Sequence, residues 1–168
     1  MLSVSTTTRA RRAGEREGVE YHYVACEEFL RRVEQGDFLE WAEYGGHLYG
    51  TPAGAVWAQV REGRDVILEI ELQGARQVMC RVPEAVVVFI APPDLEELEE
   101  RLRLRDTETE EAIRRRMDHA RDEMDALARN AAGKGQEFDY VIVNDDVDTA
   151  AEDLRAAVEE IRATDTER

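Results

Sequence analysis

Lysine is all but absent from this chain: Lys134 is the only one in 168 residues. Cysteine is scarce too. Cys26 and Cys80 are far apart and form no CxxC, and His22, His47 and His119 are scattered, so no zinc-type spacing exists and no metal ligand is expected. No apolar run approaches the length of a membrane span, and the first residues lack the apolar core of a secretion signal. The expectation is a reduced, cytoplasmic setting with no membrane partner. Positive charge is also in short supply, with 22 Lys and Arg against 38 Asp and Glu and a net charge of −16, which argues against a nucleic-acid partner. A small anionic ligand is not excluded, because local charge decides that. A phosphate-cradling GxxxxGK[ST] loop is missing as well. "GGHLYGT" has the glycine spacing from Gly45 to Gly50 but puts Thr51 where lysine belongs, and "GKG" at 133–135 lacks the earlier glycine.

What is there suits one domain. The chain is long enough to bury a core, and 43% hydrophobic with 36% charged residues is a globular composition. Its charge is uneven. Arg9, Arg11, Arg12 and Arg16 face only Glu15 within residues 1–16, whereas seven acids face Arg155 alone within 145–160. The first segment can hold a phosphate and the second cannot. "DVILEI" (65–70), "VVVFIA" (86–91) and "YVIVN" (140–144) are β-branched and mostly do not alternate, as expected of parallel strands buried on both faces. "LSVS" (2–5) is a further strand or the remnant of one.

Helical patterns separate these runs. Thr51 and Pro52 read as N-cap and first residue of a helix that Gly63 stops, Asp94 with Glu97 as a capping box, and Asp148 as the cap of the last helix, with Leu154, Val158 and Ile161 turned inward. The longest helix carries the stripe Ile113, Met117, Ala120, Met124 and Leu127. This alternation predicts an α/β domain with a parallel sheet. Residues 14–50, aromatic and glycine-punctuated, interrupt it as a small lid-like insertion.

Three groups of residues could carry chemistry. Arg9, Arg12, Tyr21 and Tyr49 combine guanidinium forks with neutral hydroxyls, a set suited to phosphate, although spacing alone favours an exposed basic turn. On the central helices Glu97–Arg101, Glu99–Arg103, Glu110–Arg114 and Glu111–Arg115 stand at pairing distance in sequence. Arg105 has Arg101 at i−4 and no acid within its helix to offset it, and Arg116 has no acid at helical spacing, so Arg101, Arg105 and Arg116 are the favoured anion binders, with pairing to an acid distant in sequence as the competing reading. Glu69 and Glu71 bracket the end of an apolar run, where ligands of open parallel sheets gather.

"SVSTTTR", "GVEYHYV", "FLEWAEYGGHLYGTP", "VILEIELQGA", "FIAPPDLEELEERLRLRDTETEEAIRRRM" and "YVIVNDD", in that order, resemble the guanylate kinase family over about residues 2–162. The resemblance implies a P-loop kinase-like, parallel-sheet core, with a GMP-binding subdomain at about 6–50 and a lid at about 104–116 within a single domain of 1–168. It implies transfer of the ATP γ-phosphoryl group to GMP, with Mg2+ accompanying ATP. By the same resemblance Ser5, Arg9, Arg12, Tyr21 and Tyr49 hold the GMP phosphate, and Glu40, Thr51 and Glu69 read guanine, with Glu71 beside them. Arg101, Arg105 and Arg116 clamp the transferring phosphoryl group, and Asn144 lies near the ATP base. Self-association is left open.

The sequence departs from the family pattern. Glu71 stands where aspartate is usual, Leu104 and Asp106 replace two lid glycines, "RARR" lacks the usual proline before Arg12, and the loop around Lys134 looks like an insertion. Relatives also carry a first strand and a P-loop ahead of "SVS". In this fold family that strand is central, and its loss leaves a gap of about 10 Å, two strand spacings, with unpaired backbone on both sides. The expectation is that Met1 lies inside a longer reading frame or a truncated gene, with the 168-residue chain unstable or inactive as such. The alternative function is a non-catalytic guanylate-kinase-like module that binds GMP or a phosphorylated or acidic peptide.

Overall fold

The computed structural model describes residues 1–104, 109–133 and 137–166. The candidate Arg105, together with Asp106 and Lys134, lies outside the described residues. The chain forms two compact units, Met1–Ala85 and Val86–Arg168.

In the first unit, β1 (Thr6–Thr7), β2 (His22–Tyr23), β3 (Phe38–Tyr44) and β4 (His47–Pro52) form a sheet in the order β2-β1-β4-β3. β1 runs parallel to β2 and antiparallel to β4. Two glycines make the hairpin: Gly45 and Gly46 have φ of 60° and 80°, the two positive values that a two-residue turn needs to match strand twist. A register shift between Phe38 and Glu40 sets Glu40 opposite Thr51. This irregularity lets Phe38, Leu39 and Glu40 all be buried in succession, which a regular pleat would not allow. Phe38 stacks on Phe29 of α1 (Cys26–Glu34) with ring centroids 4.5 Å apart. Leu39 packs with Val56 of α2 (Ala53–Arg61) and Val78 of α3 (Leu72–Arg81).

Residues 65–70 form no strand ladder in the structure. Ile67 makes one parallel bridge to Leu2, with Ser3 N donating to Ile67 O at 2.9 Å and Ile67 N to Met1 O at 2.8 Å. "LSVS" therefore does meet this segment. Val66, Leu68 and Ile70 turn to the Leu39 core while Ile67 is exposed, so the run buries one face rather than the two expected of it.

The second unit has a parallel pair, β5 (Val88–Ala91) with β6 (Tyr140–Val143), in register from Val88–Tyr140 to Ala91–Val143. A parallel pair needs a crossover; α4 (Leu95–Leu104) and α5 (Glu110–Ala131) lie in it, and α6 (Val147–Thr166) follows. Leu102, Ile113 and Met117 form their core, and the rest of the α5 stripe is buried at Ala120 and half-buried at Met124 and Leu127, with Ala126 buried outside the stripe. The α/β class and the parallel pairing of 86–91 with 140–144 hold.

Two caps differ from the sequence expectation. Thr51 does not cap α2, because its hydroxyl donates to Glu40 inside the sheet, and Pro52 takes the cap position without a side-chain bond. Asp148 sits in the first turn of α6, and Asp146 accepts from Thr149 N at 2.9 Å and from its hydroxyl at 3.1 Å. Both aspartates precede the same apolar stripe, so only backbone geometry separates them. Asp94 does cap α4, accepting from Glu97 N at 2.8 Å. Removal of the α6 cap by Asp146→Ala lowers stability by about 1 kcal/mol in chemical denaturation, whereas Asp148→Ala stays within about 0.5 kcal/mol of the parent.

Candidate functional site

The arginine-rich turn after β1 closes around one acid. Glu15 takes a two-pronged bond from Arg9, with Nη2 at 2.7 Å from Oε1 and Nη1 at 3.1 Å from Oε2. Its Oε2 also accepts from Arg12 N at 2.7 Å and from the Tyr23 hydroxyl at 2.8 Å. Four donors on one carboxylate, the Arg9 bonds foremost, hold the Glu15 carboxyl at about 2. Burial, then the bond to Glu15, pushes the Tyr23 hydroxyl up to about 12. Arg9 is held charged above its ordinary value chiefly by Glu15, with burial opposing and Tyr49 adding a smaller share. The Arg9 and Glu15 side chains are only 12% and 16% exposed, so water screens this pair far less than the surface pairs elsewhere in the chain.

Tyrosines wall this turn. The Arg9 Cζ lies 5.4 Å from the Tyr21 ring centroid and 6.0 Å from that of Tyr23. Tyr21 meets Tyr49 edge-on with centroids 5.8 Å apart. Burial raises the Tyr21 hydroxyl, and Tyr49 and Glu69 raise it further, which marks Glu69 as a neighbour of the same cluster. Arg9, Tyr21, Tyr49 and Glu69 thus come together. The side chain of Arg12 is exposed, and only its backbone reaches Glu15. Ser5 is half-buried, and its carbonyl accepts from His22 N at 2.8 Å where β2 joins β1.

Two residues along β4 from Tyr49, and hence on the same face, Thr51 meets Glu40. Glu40 is 4% exposed, and its Oε1 accepts from Thr51 N at 3.0 Å and from the Thr51 hydroxyl at 2.6 Å. Burial raises the Glu40 carboxyl, while the Thr51 bonds pull it back down. Glu71 is exposed at the N-cap position of α3, makes no side-chain cap bond there, and is engaged elsewhere.

In the second unit Arg101 bonds through all three of its guanidinium nitrogens. Its Nε donates to Glu97 at 2.7 Å, Nη1 to the Asn144 carbonyl at 2.7 Å and Nη2 to the Asp145 carbonyl at 3.1 Å. The guanidinium therefore ties α4 to the end of β6, a structural duty that helical spacing does not reveal. Asn144 Oδ1 is buried without a hydrogen-bond partner. Arg116 is half-buried and engaged, while Arg114 and Arg115 are exposed. Arg103 pairs with Glu99 at 2.6 Å and Arg115 with Glu111 at 2.8 Å, as the spacing predicts; Glu110 reaches Arg103 at 3.5 Å. Among the described residues no three His, Cys, Asp or Glu side chains converge as a metal site.

The guanylate kinase family model matches residues 1–161. The chain belongs to the guanylate kinase family. It is 49% identical over 155 residues to a guanylate kinase of Synechococcus sp. (strain JA-3-3Ab), covering 92% of this chain and 68% of that one. A guanylate kinase of Synechococcus sp. (strain CC9311) is 51% identical over 153 residues, covering 91% and 76%. The crystal structure of guanylate kinase from Anaplasma phagocytophilum superposes with a TM-score of 0.76 at 35% identity, covering 95% of this chain and 74% of that one. The family resemblance and the α/β class read from the sequence are thus borne out.

Sequence reasoning missed Glu15 and Tyr23. The available signal was a lone acid six residues after Arg9 in a turn otherwise rich in arginine; its partners were not legible, because Tyr23 arrives by the β1–β2 pairing. The Glu15 carboxyl is depressed in the fold from 4.5 to about 2, so its stabilisation is present above the higher value and is lost as pH falls toward the lower. Acid titration of the thermal midpoint therefore shows a loss over that window, and Glu15→Gln, less stable than the parent at pH 7, shows a shallower one.

Proposed function

We propose that the chain acts as an ATP:GMP phosphotransferase, giving ADP and GDP in purine nucleotide metabolism in the cytoplasm. One observation carries this reading: a single face of β4 presents Tyr49 beside Arg9 and Tyr21, and Thr51 bound to the buried carboxylate of Glu40. A phosphate-holding group and a base-reading group therefore share one strand. Guanine offers two donors, N1–H and the exocyclic amine, to carboxylates such as Glu40 and Glu69, whereas adenine presents a bare acceptor at N1. The wrong base leaves a desolvated acid unpaired, which is how large discrimination arises. Arg9, Arg12, Tyr21, Tyr49 and Ser5 are assigned to the GMP phosphate, with Glu71 beside the base. Residues 6–50 and 104–116 are assigned to the GMP-binding subdomain and the lid.

Phosphoryl transfer relies on positioning and charge neutralisation, so Arg101, Arg105 and Arg116 are assigned to the transferring group and Asn144 to the ATP base. The carbonyl bonds of Arg101 fix its direction, and the unpartnered Asn144 Oδ1 supports a ligand contact. Mg2+ supplies charge neutralisation on the triphosphate it arrives with, and none of the described residues is assigned as its ligand. Unpaired exposed cysteines, Cys26 and Cys80, fit a reducing compartment, and no described helix is long and apolar enough to cross a membrane.

The test pairs calorimetry with a coupled assay of ADP release. GMP binding with GMP-dependent ADP release supports the kinase reading, and GMP binding without release favours the non-catalytic module. Arg9→Ala weakens GMP binding roughly 10–100-fold, as loss of a charged hydrogen bond does, and Tyr49→Phe about fivefold; unchanged GMP affinity in both variants sinks the phosphate-site assignment.

A further inference from the structure

Gly74 lies in the first turn of α3, and its φ is not in the left-handed region. Helices disfavour glycine there relative to alanine, so the position needs a reason other than backbone conformation. Space supplies it. A Cβ on Gly74 would run into Glu40 Oε2 and stand 3.0 Å from Glu40 Cδ. Gly54 in α2 is the contrasting case, since a Cβ there would have nothing within 4 Å.

The backbones on either side of this contact cannot retreat. α3 is clamped to β3 on both sides of residue 40. Gln77 Nε2 donates to the Trp41 carbonyl at 2.7 Å, and Trp41 N returns a bond to Gln77 Oε1 at 3.3 Å. Arg81 Nη1 donates to the carbonyls of Phe38 at 2.8 Å and Leu39 at 2.7 Å. The other oxygen of Glu40 is held from the opposite strand by Thr51. A side chain on residue 74 therefore has one thing to move, the carboxylate itself.

We infer that Gly74 is a positioning residue for guanine recognition, which by carrying no side chain lets α3 close on Glu40 with its carboxylate in the single pose that Thr51 holds. This rests on the GMP-binding reading above. Gly74 touches no nucleotide; it acts through Glu40 and sets base selectivity rather than phosphate affinity.

The test is calorimetric titration of the full chain with GMP and with AMP, for the parent, Gly74→Ala and the control Gly54→Ala. Gly74→Ala is expected to lose GMP affinity roughly 10–100-fold while AMP affinity holds, so the GMP-to-AMP ratio falls by the same factor. Gly54→Ala leaves both affinities at parent values. A folded Gly74→Ala with an unchanged ratio, in a parent that binds GMP, overturns this inference alone; a parent that binds no GMP sinks the proposed function with it. Thermal melting guards against a Gly74→Ala that folds poorly. The double variant Gly74→Ala with Glu40→Asp, whose shorter side chain withdraws from the contact, should melt higher than Gly74→Ala, and a double variant no more stable than the single overturns the packing on which the inference stands.

Discussion

Glu40 is buried in the β3–β4 hairpin, where Thr51 meets one oxygen of its carboxylate and the α3 wall lies against the other. A desolvated acid in that position is tolerable only if donors reach it at hydrogen-bond distance. The hairpin delivers them through its register, since the irregularity at Phe38–Glu40 sets Glu40 opposite Thr51 and two glycines close the turn. The same irregularity sends Leu39 to the core with Val56 and Val78 and Phe38 to Phe29. One local distortion of a strand thus fixes the polar site and the apolar packing together, and a slip of one residue would undo both.

The arginine-rich turn after β1 solves a different electrostatic problem. A chain of net charge −16 must keep its few cations where an anion can use them. Arg9 is kept in place by Glu15, whose remaining lone pairs are taken by Arg12 N and Tyr23, so the resident acid orients the guanidinium and tyrosine rings wall it. Arg101 is oriented by Glu97 through Nε and by two backbone carbonyls at the end of β6 through its Nη atoms. Each cation thus has one resident acid, Glu15 for Arg9 and Glu97 for Arg101, but Arg9 meets its acid through two nitrogens and Arg101 through one, with carbonyls on the others.

Periodicity and local chemistry carried much of the reading. The α5 stripe and the parallel strands at 86–91 and 140–144 follow from apolar spacing, because a 22-residue helix has enough turns to declare its buried face. Arg116 was distinguishable from Arg114 and Arg115 by the same helical arithmetic and is the half-buried one of the three. Errors arose where two local solutions compete. Thr51 followed by Pro52 is good cap chemistry, yet the hydroxyl has a buried carboxylate to satisfy across the strand. Asp146 and Asp148 are both capable caps, and only the chain direction leaving β6 chooses between them. Residues 65–70 carry the composition of a strand, but composition reports what a segment prefers to bury and not whether a neighbour pairs with it.

The sequence by itself determined the family, the α/β class and the helical faces, because each is written in spacings shorter than about two helical turns or in ordered motifs along the chain. Tertiary structure alone decided that Glu15 holds Arg9, that Thr51 serves Glu40 and not α2, that Arg101 grips the carbonyls after β6, and that Gly74 leaves room for a carboxylate from another element. Each of these depends on distances between segments that are far apart in the chain or joined by a turn, and a distance of that kind is set by register and packing, which no local spacing encodes.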